Sequence, residues 1–165
     1  MFFSIFKAIE ETGLSVWIRE SDSFYSFWLI LSVHALGMGL LVGASVVIGL
    51  RILGMAPDLP LAPLQRFYRY IWVGFWIQVA SGILLLIAYP TKSLTNPLFY
   101  LKLTLIGLAL VTMQMLRNRV FTDSSLTEAA MMAKGRVFAI WSLVFWVGAV
   151  TAGRLLAYTY TVLTA

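Results

Sequence analysis

The chain has 165 residues, of which 61% are hydrophobic and 12% charged, about half the charged share of an average soluble domain. A mean hydropathy of +0.89, with several long apolar runs, predicts an all-α integral membrane protein built as a four-helix bundle. The absence of cysteine excludes disulfides, thiolate metal sites and a cysteine nucleophile. The net charge of +5 comes from basic residues that flank the apolar runs, so nucleic acid is not an expected partner.

Residues 2–20 come first and predict an interfacial amphipathic helix. Apolar residues recur there at helical spacing, with Lys7 and Arg19 elsewhere on the helical wheel and Gly13 as a candidate break. Glu10 and the acid after it stand where a secretory signal would have its apolar core, so we do not expect cleavage.

Four membrane-spanning helices are predicted to follow, all within a single transmembrane domain over residues 1–165. The first contains about 28 consecutive residues without a formal charge, enough to cross a bilayer with some tilt. Pro90 ends the second helix, and Asn96 and Pro97 are a typical N-cap and first residue for the third. The predicted spans are residues 23–52, 68–89, 97–116 and 137–160.

The distribution of basic residues predicts the orientation. Most of the 12 lysines and arginines lie in or beside two connections, namely Arg51, Arg66, Arg69, Arg117, Arg119, Lys134 and Arg136. By the positive-inside rule these connections face the cytoplasm and both termini face the periplasm. We therefore expect a multi-pass protein of a bacterial inner membrane.

Polar residues are rare within the predicted spans. His34, the only histidine, lies about 15 Å below the outer start of the first helix at 1.5 Å per residue, and Gln78 lies at a similar level on the second. Lys102 and Arg154 also belong to spans, because the uncharged runs beside them are too short to cross a membrane. No aspartate or glutamate lies in any predicted span to neutralise these two cations.

One b-type haem would fit this set of residues. His34 would be the iron ligand, with Gln78 at its level, and Lys102 and Arg154 would meet the propionates. Gly37, one turn from His34, would leave room for the flat macrocycle. Candidate apolar walls are Phe27, Trp28, Phe75, Trp76, Phe145 and Trp146.

A purely structural interpretation remains open for the same residues. Lysine and arginine near the ends of spans extend toward lipid phosphates, and a lone histidine can bond Gln78 or a backbone carbonyl. The second axial ligand is also open, since Met38 lies on the same helix face as His34. The iron would be five-coordinate, or completed by Lys102, by a second copy of the chain or by a partner subunit.

Small residues form a ridge on the first span. Ala35, Gly39 and Gly43 follow the small-xxx-small spacing that lets helices pack closely. We expect this ridge to pack within the chain, with a dimer interface as the alternative.

Seven methionines raise the possibility of copper handling, because copper accepts thioether ligands. Met113 with Met115, and Met131 with Met132, form two pairs. Such close spacing spreads side chains around a helix, so gap filling in the core is the favoured interpretation.

The segments WIRESDSFYSFWLILSVHALGMGLLVG (17–43), RILG (51–54) and YLKLTLIGLAL (100–110) resemble uncharacterised four-helix bacterial inner-membrane proteins, a family of unknown function. The chain is also distantly similar to the copper-resistance D membrane domain and to the J-type protoporphyrinogen oxidase. Those families combine a histidine in an early span with a lysine that opens a later one. The second resemblance implies haem b on His34, with Lys102 nearby.

These observations lead to three hypotheses of function. The first is a cytochrome-like membrane subunit that binds one b-type haem near the periplasmic face and transfers electrons between quinol and a periplasmic partner, or anchors a redox complex. The second is a non-redox scaffold or assembly subunit of a larger complex. The third is copper handling. The expected partners are lipid, a second copy or other membrane and periplasmic subunits, and quinone.

Overall fold

The computed structural model describes residues 2–123 and 125–163, and it describes the side chains of residues 4–123 and 125–159. These residues form seven α-helices and no strand. The helices are α1 (Phe2–Glu10), α2 (Gly13–Glu20), α3 (Phe27–Ile52), α4 (Phe67–Ala88), α5 (Pro90–Leu94), α6 (Pro97–Leu116) and α7 (Glu128–Leu163). A 3-10 helix, Ala62–Arg66, leads into α4, and a π-helical turn, Arg117–Phe121, follows α6.

Four of these helices are long and apolar enough to cross a membrane: α3, α4 with its 3-10 turn, α6 with its π turn, and α7. Large apolar side chains on their outer faces are exposed, including Leu36 at 70%, Trp76 at 64% and Val147 at 67%. Helices that are apolar on all sides are typical of membrane spans, where such faces contact lipid. The predictions of an all-α fold and a multi-pass membrane protein are confirmed.

The start of the chain differs from the prediction. α3 begins at Phe27 rather than at residue 23, because Ser26 Oγ donates a hydrogen bond of 2.6 Å to Ser23 O and closes a turn there. The predicted helix over residues 2–20 is two helices, and the second begins at the candidate break, Gly13. Thr12 separates them, since its hydroxyl bonds back to α1 and also accepts from the first turn of α2.

The last two spanning helices, α6 and α7, begin in different ways. α6 starts as expected, with Asn96 Oδ1 accepting a backbone hydrogen bond of 3.0 Å two residues on and Pro97 as first residue. α7 starts at Glu128 and continues without a break into the predicted span 137–160. Its early turns pass close to α6 because Gly135 has no side chain; a Cβ there would lie 3.0 Å from Leu116 Cδ1.

The spanning helices pack in the order α4–α3–α7–α6, and α4 and α6 make no comparable contact within the described residues. The buried core, which includes Ile48, Ile71, Met113 and Ala139, lies toward the α3–α4 and α6–α7 connections. We call the end of the bundle that carries these two connections the basic-loop end, and we call the opposite end the α1–α2 end. The centre of the bundle is therefore filled at the basic-loop end, and a larger gap remains between α4 and α6 at the other end.

Gly37 and Gly74 bring α3 and α4 into backbone contact. A Cβ at Gly74 would lie 2.7 Å from Leu41 N and 2.8 Å from Gly37 O, and a Cβ at Gly37 would lie 2.6 Å from Ile77 Cγ2. Helices in lipid associate through such close packing because lipid tails give no hydrophobic driving force. This crossing fixes the position of α4 relative to α3.

The predicted ridge of small residues takes no part in this contact. Ala35, Gly39 and Gly43 are exposed, and a Cβ at Gly39 or Gly43 would meet nothing within 4 Å. α4 and α7 pack on other faces of α3, as the contacts of Gly37 and Gly49 show. The expectation that the ridge packs within the chain is wrong.

The two N-terminal helices cover the end of α4. Ser15 Oγ donates 2.9 Å to Ile87 O, and Arg19 donates to Ala88 O at 3.4 Å and to Glu10 O at 2.9 Å. The last carbonyls of a helix have no partner within it, so these side chains satisfy groups that would otherwise be unpaired. α1 and α2 are thus held on the bundle as well as being amphipathic.

Arg51 joins three segments at the basic-loop end. It is only 5% exposed and forms a salt bridge with Glu128 at the start of α7. Its guanidinium also donates to Leu59 O and to Pro57 O in the α3–α4 connection and contacts Met132 Sδ at 3.5 Å. A planar group with five donors suits such a site, and lysine could not make the same set of bonds.

The helix crossing predicts a large effect of one methyl group. Gly74→Ala should lower the free energy of unfolding by about 2 kcal/mol, because its Cβ meets backbone atoms that cannot move aside. Gly39→Ala, in open space, is the matched control and should leave stability unchanged or slightly raised. Thermal unfolding in detergent measures both, and equal midpoints for the two variants would contradict the crossing.

The Arg51 contacts predict a second loss of stability. Arg51→Met should cost about 1.5–3 kcal/mol, because two carbonyls lose a charged donor. Arg136→Met is the control, since Arg136 is exposed on α7. Denaturant unfolding compares them, and a loss as large in the control would show that general charge balance is responsible.

Candidate functional site

A cavity of about 440 Å³ lies at the α1–α2 end between α3, α4, α6 and α7. It exists because α4 and α6 do not close against each other. Its walls are mostly aliphatic and aromatic, and its volume is in the usual range for small-molecule sites. The charged or hydrogen-bonding side chains that line it are His34, Gln78, Ser93, Lys102 and Trp146.

The ring of His34 is held by α4. His34 Nδ1 lies 2.8 Å from Ser81 Oγ, and Ser81 Oγ lies 2.6 Å from Ile77 O. A carbonyl only accepts, so the single hydroxyl proton of Ser81 goes to Ile77 and Nδ1–H donates to Ser81. In the neutral ring Nε2 is then the unprotonated nitrogen, and it has no partner among the described residues.

Gln78 also joins α4 to α3, but through the backbone. Its Nε2 donates 3.1 Å to His34 O, the carbonyl rather than the ring. The interpretation in which the His34 ring bonds Gln78 is therefore wrong, since Ser81 is the partner of the ring. Gln78 positions the helix segment that carries His34, and it lines the cavity.

Lys102 lines the cavity and extends from α6 to α7. Its Cε, Cδ and Nζ lie 3.5–3.7 Å from the position that a Cβ of Gly153 would take. None of the three salt bridges among the described residues includes Lys102. An ammonium group without an acidic partner in an apolar cavity is costly, so this position favours an anionic ligand.

Trp146 adds an unpaired donor to the cavity. It is 2% exposed, and its Nε1 is buried without a partner among the described residues. Of the predicted aromatic walls, Phe75 and Trp146 line the cavity. Trp28 and Trp76 are instead exposed at 62% and 64% on the outer faces.

Two predicted site residues lie away from the cavity. Arg154 is exposed on α7 and does not line it, although Lys102 lies against the preceding Gly153. Gly37 is buried under α4, with the side chain of Ile77 in the space beside it. The expectation that Gly37 makes room for a macrocycle is wrong, because the glycine accommodates α4.

Ser81 and Trp146 were not predicted in these roles. Ser81 lies three residues after Gln78, on the same face of α4, and this spacing was the available signal. The spacing could not show that Ser81 meets the ring of His34, because that depends on the rotation of α4 about its own axis. No feature of the sequence around Trp146 indicates that its Nε1 has no hydrogen-bond partner.

Comparison of the chain with family models, curated proteins and solved structures gives no match. The chemistry of the cavity must therefore carry any assignment of function. Within the described residues no group of three or more His, Asp or Glu side chains could hold a metal ion. The cavity instead offers one free imidazole nitrogen, one unpaired ammonium and apolar walls.

The Ser81 contact predicts a defined tautomer. With ¹⁵N-labelled histidine and a purification tag free of histidine, the protein gives the signals of one ring, because His34 is the only histidine. We expect the Nδ1–H form in the wild type and a rise of the Nε2–H form in Ser81→Ala. Ser45→Ala is the control, since Ser45 bonds Leu41 O instead. A wild-type ring in the Nε2–H form would contradict the assignment.

Proposed function

We propose that this chain is a membrane subunit that binds one b-type haem in the cavity at the α1–α2 end. His34 Nε2 is the iron ligand, and Lys102 meets an anionic group such as a propionate. The observation that carries the proposal is the His34–Ser81–Ile77 chain of hydrogen bonds. It resembles the arrangement of metal-ligating histidines, which donate their other ring N–H to a fixed acceptor.

The number of available ligands favours haem over a bare metal ion. A copper or zinc ion takes most of its ligands from side chains, whereas haem iron needs only axial ligands from the protein. The cavity supplies one imidazole nitrogen and apolar walls. Met38 lines it from the same helix as His34, while Met113 is in the core and Met132 contacts Arg51.

Lys102 is the second support for the proposal. Haem b carries two carboxylates, and a charge-assisted bond from Lys102 would satisfy both the ammonium and a propionate. Trp146 could donate from Nε1 to a further acceptor. Lys102 comes from α6 and His34 from α3, so the two side chains that would hold the group reach the cavity from different helices.

The gap between α4 and α6 supports a role in electron transfer with quinol. Quinols are lipid-soluble, and a cavity that opens to lipid allows one to approach the site from within the membrane. The electron acceptor would lie beyond the α1–α2 end, which we propose faces the periplasm of a bacterial inner membrane. Anchoring of a redox complex, through a second copy or other subunits, is the related role.

A non-redox scaffold is the second candidate function. The exposed ridge of Ala35, Gly39 and Gly43 favours it, because such ridges associate with other helices in membranes. In that case the protein would be colourless after purification from cells supplied with a haem precursor.

A visible spectrum tests the haem proposal. The wild type should show a Soret band, and His34→Ala should reduce it to about a tenth or less, because the single ligand is removed. Lys102→Met should keep the band but weaken haem affinity about tenfold, as expected for loss of one charge-assisted bond. Titration of haemin into the apoprotein measures the haem affinity of the wild type and of each variant.

Arg154→Met is the matched control for Lys102→Met. Both variants remove one positive charge from the same end of the bundle, but Arg154 does not line the cavity. We expect unchanged affinity in the control. A Soret band that survives in His34→Ala, or equal weakening by the two charge variants, would overturn the proposed site.

A further inference from the structure

A second cavity, of about 390 Å³, lies at the basic-loop end, far from His34. It is a groove between the start of α4 and the end of α6. We call it the arginine groove, lined by Arg66, Arg69, Arg117, Tyr68, Tyr70 and Trp72. The proposed haem site uses none of these residues.

The charges of the arginine groove are uncompensated. Three guanidinium groups line it, and no carboxylate does. The salt bridges among the described residues join other pairs: Arg19–Glu20, Arg51–Glu128 and Lys134–Asp123. Three like charges around one groove repel each other, so the groove is complementary to an anion with several acceptor oxygens.

Tyr68 is an independent indication of a ligand. It lines the groove and is only 3% exposed, yet its hydroxyl has no hydrogen-bond partner among the described residues. Arg117 lies over its ring, 5.7 Å from the centroid. A buried hydroxyl without a partner is costly, and an acceptor in the groove would satisfy it.

The level of the groove in the membrane indicates where the anion comes from. Arg66 and Arg69 flank the start of α4, and Arg117 follows the last residue of α6. Tyr70 and Trp72 are exposed at 50% and 40% beside them. Aromatic and basic side chains at the ends of spans mark the headgroup region of the bilayer.

We propose that the arginine groove binds the phosphate of an anionic phospholipid. Arg66, Arg69 and Arg117 neutralise the headgroup, and the Tyr68 hydroxyl donates to one of its oxygens. Basic pockets between spanning helices are known sites for such headgroups. The lipid would bridge basic residues of the α4 start and the α6 end, which meet where Arg117 lies over the ring of Tyr68.

Lipid titration in neutral detergent tests the proposal, with native mass spectrometry to count bound lipids and thermal unfolding to measure their effect. Phosphatidylglycerol should bind at least tenfold more tightly than phosphatidylcholine. Arg69→Gln and Arg117→Gln should each weaken phosphatidylglycerol binding about fivefold, the usual value of one basic residue near an anionic headgroup. Two variants are used because Arg117 is half-buried and Arg69 is exposed.

Arg119→Gln is the matched control. It removes the same charge two residues beyond Arg117, but Arg119 lies over Phe138 rather than in the groove. Phosphatidylglycerol affinity should be unchanged in this variant. Equal weakening by Arg117→Gln and Arg119→Gln would overturn the proposal, because it would show general attraction between a basic protein and an anionic lipid.

Two further arms complete the test. Tyr68→Phe should weaken phosphatidylglycerol binding without lowering the unfolding midpoint of the lipid-free protein, because the hydroxyl has no partner there. Unchanged lipid affinity in this variant would overturn the role of Tyr68. Inorganic phosphate alone should give no comparable shift of the midpoint; a full shift would identify the ligand as a free anion and overturn the lipid assignment.

Discussion

The backbone contact between α3 and α4 at Gly37 and Gly74 is the constraint on which the site depends. A Cβ at Gly74 would lie 2.7 Å from a backbone nitrogen of α3, so the helices touch with no side chain between them. About two turns further along α4, toward the α1–α2 end, the same approach lets Ser81 reach the ring of His34. Small shifts between these helices would separate the imidazole from its acceptor, and the free nitrogen would lose its defined direction.

The difference between the two ends of the bundle follows from how the helices are paired. α3 contacts both α4 and α7, whereas α4 and α6 do not close the ring. At the basic-loop end the core side chains and the buried Arg51 fill the centre. At the α1–α2 end the same arrangement leaves a cavity, and Ser15 and Arg19 of α2 satisfy the last carbonyls of α4. Close packing at one end thus holds the helices around an open volume at the other.

The sequence predicted the parts of this architecture that depend on local composition. Long uncharged runs identified the four spans, and the lone polar residues identified His34 and Lys102, which line one cavity. Contacts that depend on helix rotation were not predictable. A glycine at position 37 looks the same in the sequence whether it faces a ligand or α4. The sequence likewise gives the depth of Arg154 in the membrane but not whether its side chain faces the cavity or the outside of the bundle. Ser81 and the buried Arg51 became interpretable only once the helices were placed.

Both proposed sites follow from one property of membrane proteins. The interior and the surrounding lipid offer few partners, so an unpaired polar group is more costly there than on a soluble protein. Most such groups here are satisfied within the chain, as Arg51 and Ser15 are. Three buried side-chain groups of the described residues have no partner: Trp146 and Tyr68 each line a cavity, and Ser142 lines neither. Lys102, which takes part in no salt bridge among these residues, lines the same cavity as Trp146. Because each cavity also has room for a ligand, the unpaired groups of Lys102, Trp146 and Tyr68 are better explained as ligand contacts than as isolated defects of packing.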